Sequence, residues 1–176
     1  RQVARGGTFV SQFDMLTLLD PVLKPQSLSK RPCKVIVLDP GHGGKDEGAR
    51  GRHYLEKRIT LELAQKLKVL LERAGYQVHM TRNSDVYVPL ARRAQIAAWR
   101  KADLFISLHV NAAQDKSVSG LETYALTPDG APSTTSSQVV WTRYSGNTHE
   151  SNNLALAHFI QQQMLKKTQA EDRGVK

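Results

Sequence analysis

Three residues of metal-ligating type stand beside glycine-rich or apolar stretches of the sequence. His42 lies in the turn-forming run Asp39-Pro40-Gly41-His42-Gly43-Gly44, Glu56 precedes an amphipathic stretch, and His109 follows the apolar run Leu104–Leu108. Two imidazoles and one carboxylate form a ligand set of catalytic zinc sites, which keep the fourth tetrahedral position open for water. The residue types therefore predict a hydrolytic Zn2+ centre.

The elements that must position these residues alternate along the chain. Short apolar runs predict β-strands at residues 35–38, 77–81, 104–108 and 121–126. Helical periodicity predicts helices at 63–74, with Leu63, Leu67, Leu70 and Leu71 on one stripe, at 90–98 and at 156–164. This alternation predicts an α/β fold, in which a mostly parallel, twisted sheet carries helices on both faces of a single domain.

The predicted sheet would bring the three residues together. His42 follows the first strand and His109 ends the third, and ligands of open α/β sheets bind beyond the carboxyl ends of the strands. Glu56 opens the first helix, and a right-handed crossover would place it at the same edge. We therefore expect the three side chains to converge at this edge.

Two carboxylates near His42 leave alternatives open. Glu47 could replace Glu56 as a ligand, but metal ligands are better held by ordered elements, which favours Glu56. Asp39 either orients a ligating imidazole from the layer around the ligands or caps the turn before Pro40.

The remaining candidates favour ordinary roles. His53 lies in a charged stretch and is expected to face solvent, whereas His79 is predicted within a strand and His158 within a helix. The run Gly41-His42-Gly43-Gly44 could cradle a phosphate, but it lacks the Lys-Ser/Thr pair of a P-loop.

Composition limits the classes of protein. The chain has 176 residues, enough for one domain with its own core, and no apolar run approaches the roughly 20 residues that span a bilayer. Cys33 is the only cysteine, so an internal disulfide is excluded. The sequence begins with Arg1, which suggests a processed form or a fragment. We interpret residues 1–33 as a leader or linker and residues 34–176 as the domain.

The formal net charge of +9 suggests an anionic partner such as a nucleic acid, a cell-wall polymer or lipid headgroups. A solvated basic surface is the alternative. The basic residues are dispersed and lack the interleaved aromatic residues that stack on bases, so we expect no nucleic-acid partner.

A series of motifs runs in order from residue 35 to residue 176. The segments are Val37–Gly44, Glu56-Lys57, Thr81–Asp85, Leu90–Arg93, Ala102–Ala112, Ser119–Tyr124 and Asp172–Val175. With these segments the chain resembles the zinc-dependent N-acetylmuramoyl-L-alanine amidases of the type 3 family, which cleave peptidoglycan.

The resemblance implies that zinc is held by His42, Glu56 and His109. We also expect Asp39 and Asn111 in the layer around these ligands. The resemblance further implies hydrolysis of the amide between N-acetylmuramic acid and L-alanine, a periplasmic or extracellular location, and a protein activator in some relatives. The family's acid/base glutamate is expected on a late strand beyond Lys176, so the catalytic residue is unknown here and C-terminal strands are expected to be absent from the chain.

Two other function classes fit the same ligands: a zinc-stabilised peptidoglycan-binding module without catalysis, and a zinc peptidase acting on the stem peptide. Some similar amidases carry an inserted helix that covers the zinc. In the corresponding region, residues 127–150, the stretch from Thr127 to Ser137 is rich in Pro, Gly, Ser and Thr, which argues against such a helix and against Glu150 reaching the metal. We expect an open site with Trp141 and Tyr144 touching glycan.

Overall fold

The computed structural model describes residues 15, 19–28, 32–51, 53–111, 117–131 and 144–176. Its strands are Val35–Pro40 (β1), Gln77–Met80 (β2), Leu104–Leu108 (β3), Leu121–Thr123 (β4) and Asp172–Val175 (β5). Its helices are Asp20–Leu23 (α1), Glu56–Arg73 (α2), Leu90–Trp99 (α3) and Glu150–Thr168 (α4), with 3-10 turns at Pro25–Ser27 and Ser145–His149. These elements fall into two compact units.

The first unit lies within residues 31–115 and is built on a parallel sheet of order β2-β1-β3. In the register, Leu38 of the central strand pairs with Met80 on one side and Ile106 on the other. The core cluster of Ile36, Leu38 and Val78 packs against α2. A central strand buried on both faces explains why its sequence is a continuous apolar run.

The predicted apolar stripe of α2 is only partly correct. Leu67 and Leu71 pack against the core cluster, but Leu63 and Leu70 are exposed. Thr60 and Ala64 are fully buried on this helix instead. Small residues allow the helix to approach the sheet closely, and a hydrogen bond from Thr60 satisfies its hydroxyl, so size and polar contacts decide burial here more than hydrophobicity.

Helix α3 reaches the opposite face of the sheet. Side chains alternate along a strand, so Asp39 projects from the face opposite to Leu38. Arg93 of α3 makes an ion pair with Asp39, and both side chains are buried. Arg93 thus anchors α3 at this face, and the predicted α/β class with a parallel sheet is confirmed.

The second unit contains the short parallel pair β4 and β5, with α4 against both strands and α1 against α4. The buried Gln161 of α4 donates to the Leu121 carbonyl and to Asp172, and accepts the Thr123 hydroxyl. Strand β4 is shorter than predicted, and β5 was not predicted. The helical turn at 20–23 lies in the stretch interpreted as a leader, and the division at residue 33 remains a prediction. None of the helices in the described part of the chain is long and apolar enough to cross a bilayer.

Candidate metal centre

The side chains of His42, Glu56 and His109 meet beyond the carboxyl ends of β1 and β3. One ligand atom from each lies within 4.8 Å of the others. Glu56 Oε1 is 3.2 Å from His42 Nε2 and 3.0 Å from His109 Nδ1. The two imidazole rings meet edge to face, with centroids 4.9 Å apart. The expected convergence of these three residues is therefore present in the structure.

The Glu56 carboxylate is fixed by the backbone on both sides. Its side chain is 4% exposed. Oε2 accepts the N–H of Ala49 and Oε1 accepts the N–H of Val110, each at 2.8 Å. Burial raises the pKa of this carboxyl, but the two N–H bonds and the bond to His109 outweigh it, so its pKa lies below the ordinary value. Glu56 is held as a carboxylate, the form that binds metal.

His42 is oriented by Asp46, a residue that the sequence analysis missed. Asp46 Oδ1 lies 2.9 Å from His42 Nδ1 and also accepts the Gly48 N–H. Burial raises the pKa of Asp46, but these hydrogen bonds outweigh it and lower its pKa overall. The bond to Nδ1 directs the other ring nitrogen, Nε2, toward Glu56. The sequence signal that could have revealed Asp46 was a carboxylate four positions after His42 in the same short loop.

The loop is tight and permits close approach of the ligand side chains. Gly43 and Asp46 exchange backbone hydrogen bonds of 2.8 and 3.1 Å across it. A Cβ atom at Gly41 would collide with the His109 ring, and one at Gly48 would lie 2.5 Å from His42 Cδ2. These glycines leave the space that the cluster occupies. Two imidazoles and one carboxylate with converging donor atoms fit the ligand set of zinc.

Asp39 does not have the predicted contact with an imidazole. Its Oδ1 bonds Arg93 at 2.8 Å and the Thr81 hydroxyl, and its Oδ2 accepts the Ser107 hydroxyl at 2.8 Å. Asp39 projects from the sheet rather than from the loop, so it ties β1 to its neighbours. Of the two roles considered for Asp39, orientation of an imidazole has no such contact in the structure, whereas Asp46 contacts His42.

The other sequence candidates lie outside the cluster. Glu47 pairs with Arg50 at 2.6 Å, and its side chain is partly exposed. His53 is exposed, and His79 lies 3.2 Å from the Gln77 amide. Across the described ranges, the group of potential metal ligands comprises His42, Glu56 and His109.

The remaining sequence predictions concern Asn111, the aromatic residues Trp141 and Tyr144, and Glu150. Asn111 is exposed two positions beyond His109, and its role stays a prediction. Tyr144 is exposed before the 3-10 turn, whereas Trp141 lies outside the described residues. Glu150 accepts hydrogen bonds from the Asp129 backbone and the Asn147 amide. Contact of these aromatic residues with glycan stays a prediction.

A family model described as N-acetylmuramoyl-L-alanine amidase matches residues 36–176. The chain belongs to this amidase family. The resemblance inferred from the motifs is confirmed.

Amidases from several bacteria are similar to this family member. AmiC of Escherichia coli O6:H1 is 42% identical over 111 residues, which cover 62% of this chain and 27% of AmiC. The structure of AmiC2 of Nostoc punctiforme matches with a TM-score of 0.64 and 31% identity, covering 81% of this chain and 67% of that one. The CwlD amidase from Clostridioides difficile, in complex with the GerS lipoprotein, matches with a TM-score of 0.50 and 32% identity over 52% of this chain and 55% of that one. The chain thus spans about a quarter of the length of E. coli AmiC.

Proposed function

We propose that this protein hydrolyses the amide bond between N-acetylmuramic acid and L-alanine of peptidoglycan, at a zinc ion held by His42, Glu56 and His109. The observation that carries the proposal is the convergence of these donor atoms within 4.8 Å in a member of the amidase family. Cell-wall remodelling or daughter-cell separation in the periplasm or outside the cell would be its setting.

The chain's own residues supply the geometry for metal binding. Glu56 contributes a buried carboxylate fixed by two N–H groups, and Asp46 sets the orientation of the His42 ring. A zinc ion in such a site supplies Lewis-acid activation of water and of the scissile carbonyl. The proton must pass from water to the leaving amine through a general acid/base, which we assign to none of the residues described.

Two partners belong to this proposal. Peptidoglycan is the substrate, and the net charge of +9 favours association with an anionic wall polymer. A protein activator is the second, and the CwlD amidase, which is named in a complex with the GerS lipoprotein, supports the existence of a protein partner.

Digestion of purified peptidoglycan by the protein at its full natural length, in the presence of zinc, tests the proposed reaction. We expect mass spectrometry to find intact stem peptides with a free L-alanine amino terminus. The His109→Ala variant should release none, and the His53→Ala variant should match the parent protein because His53 is exposed and outside the cluster. Shortened stem peptides would instead indicate a peptidase, and wall binding without any release would indicate a binding module. Either result would refute the amidase proposal.

A further inference from the structure

Two buried arginines lie beneath the loop that carries His42. Arg82 is 3% exposed and Arg93 is 5% exposed. Burying a guanidinium is costly unless its N–H groups are hydrogen bonded and its charge is balanced. The hydrogen-bond acceptors that these two side chains contact therefore indicate the structural role of the buried arginines.

Arg93 joins α3 to the end of β1 and to the loop. Its Nη1 donates to Asp39 Oδ1 at 2.8 Å and to the Pro40 carbonyl at 2.9 Å. Its Nη2 donates to the carbonyl of His42 at 3.0 Å, and its Nε donates to Val88 at 3.0 Å. One planar group thus connects the backbone of His42 to a buried carboxylate.

Arg82 holds the same backbone from the side of β2. Its Nε donates to the Pro40 carbonyl at 2.9 Å, and its Nη2 donates to the Gly41 and Lys57 carbonyls at 2.8 Å each. Its side chain lies so close to Gly43 that a Cβ atom there would be 2.9 Å from Nε. Arg82 therefore ties the loop to the first turn of α2, which carries Glu56.

The backbone of this loop needs such support. His42 has a φ of 61°, in the left-handed region that non-glycine residues rarely adopt. Strand β1 ends at Pro40, so the carbonyls of Gly41 and His42 lie beyond the strand. The two guanidiniums supply donors to the consecutive carbonyls of Pro40, Gly41 and His42. A strained conformation persists only where surrounding contacts determine it.

We propose that Arg82 and Arg93 are positioning residues of the metal centre, which hold the left-handed loop so that His42 Nε2 faces Glu56. The inference rests on the proposed role of His42 as a metal ligand. Lysine keeps the charge but provides a single compact ammonium, so it cannot serve carbonyls that lie along a planar fork. Arg→Lys variants therefore remove the geometry while they retain the charge.

The test compares Arg82→Lys and Arg93→Lys with the parent protein and with Arg92→Lys. Arg92 is the matched control because it neighbours Arg93 on α3, is exposed, and contacts Gln95 and Trp99. Zinc affinity is measured by chelator competition, and the ligand field is measured from the absorption spectrum of the cobalt-substituted protein. Circular dichroism of the metal-free protein gives the unfolding midpoint.

We expect zinc affinity to fall about ten-fold or more in both variants, as for other residues that orient metal ligands. The cobalt spectrum should change, and the metal-free variants should remain folded, with an unfolding midpoint lowered because buried carbonyls lose donors. Arg92→Lys should alter none of the three measurements.

Three results would overturn the inference. Unchanged zinc affinity and cobalt spectra in both Arg→Lys variants would show that the arginines do not position the ligand. Metal-free variants that lose their fold would show that the guanidiniums support the whole unit rather than the loop. If the parent protein binds no zinc, both the proposed function and this inference fail. The zinc affinity of the parent protein alone identifies this outcome.

Discussion

Val110 donates its backbone N–H to Glu56 Oε1 at 2.8 Å, one residue after His109 leaves the end of β3. The same oxygen lies 3.0 Å from His109 Nδ1. The end of β3 and the first turn of α2 are thus joined through a single carboxylate oxygen. A displacement of the end of β3 would move both groups that contact this oxygen, the Val110 N–H and the His109 ring. Glu56 is therefore central to the geometry of the site.

We expect Glu56→Gln to reduce zinc binding sharply, whereas Glu47→Gln should bind zinc as the parent does. The amide of glutamine is neutral and a poor substitute for a carboxylate ligand, while Glu47 pairs with Arg50 in the loop. Titration with zinc under chelator competition measures both affinities. Weakening in Glu47→Gln alone would show that the wrong carboxylate was assigned.

Asp46→Ala should weaken zinc binding about 10–100-fold because the bond to His42 Nδ1 is lost. Asp46→Asn keeps an oxygen that can accept this bond and should lose less affinity. The comparison of the two variants separates orientation of the ring from the charge of Asp46. Equal affinity of Asp46→Ala and the parent protein would mean that Asp46 does not orient His42.

The elements of the first unit were largely predictable because their signals are local. Strand β3 begins and ends where its apolar run does, and β1 is buried on both faces as its continuous run indicates. Strand β5 was missed because Asp172–Val175 contains a charged pair and a glycine, and it forms by pairing with β4, which lies far earlier in the chain. Contacts between distant residues leave no mark in local periodicity.

The three proposed ligands of the site were predictable from the sequence, but the roles of the neighbouring aspartates were not. His42, Glu56 and His109 could be chosen because each residue type stands at an element end. The roles of Asp39, within β1, and of Asp46, in the loop after it, depend on which way each side chain points. For Asp46 that direction depends on the left-handed turn at His42, which only the folded structure reveals.

Leu38→Ala should lower the free energy of unfolding by about 2–5 kcal/mol, because it leaves a cavity in the central strand. Leu38 is fully buried at 0% exposure, in the cluster with Ile36 and Val78. Leu90→Ala is the matched control, since Leu90 is 82% exposed, and it should change the free energy by at most about 0.5 kcal/mol. Urea unfolding measures both. A similar loss in the two variants would contradict the assigned core.

The ion pair between Lys57 and Asp85 should make the free energy of unfolding depend on pH in the acid range. Hydrogen bonds from Lys57 Nζ and the Gly44 N–H to Asp85 lower the pKa of this carboxyl below its ordinary value. Its contribution is therefore present above the unfolded-state pKa of about 4 and is lost as the pH falls through the lower folded-state pKa. Asp85→Asn should be less stable than the parent near neutral pH, and the difference should shrink below about pH 4. A difference that is constant with pH would contradict the effect.

The central claim is that His42, Glu56 and His109 bind one zinc ion. The most direct measurement is anomalous X-ray diffraction at the zinc edge from crystals of the zinc-loaded protein. We predict one peak about 2.0–2.2 Å from a ring nitrogen of each histidine and from a carboxylate oxygen of Glu56. A zinc peak bound by other residues, with none at this cluster, would contradict the account.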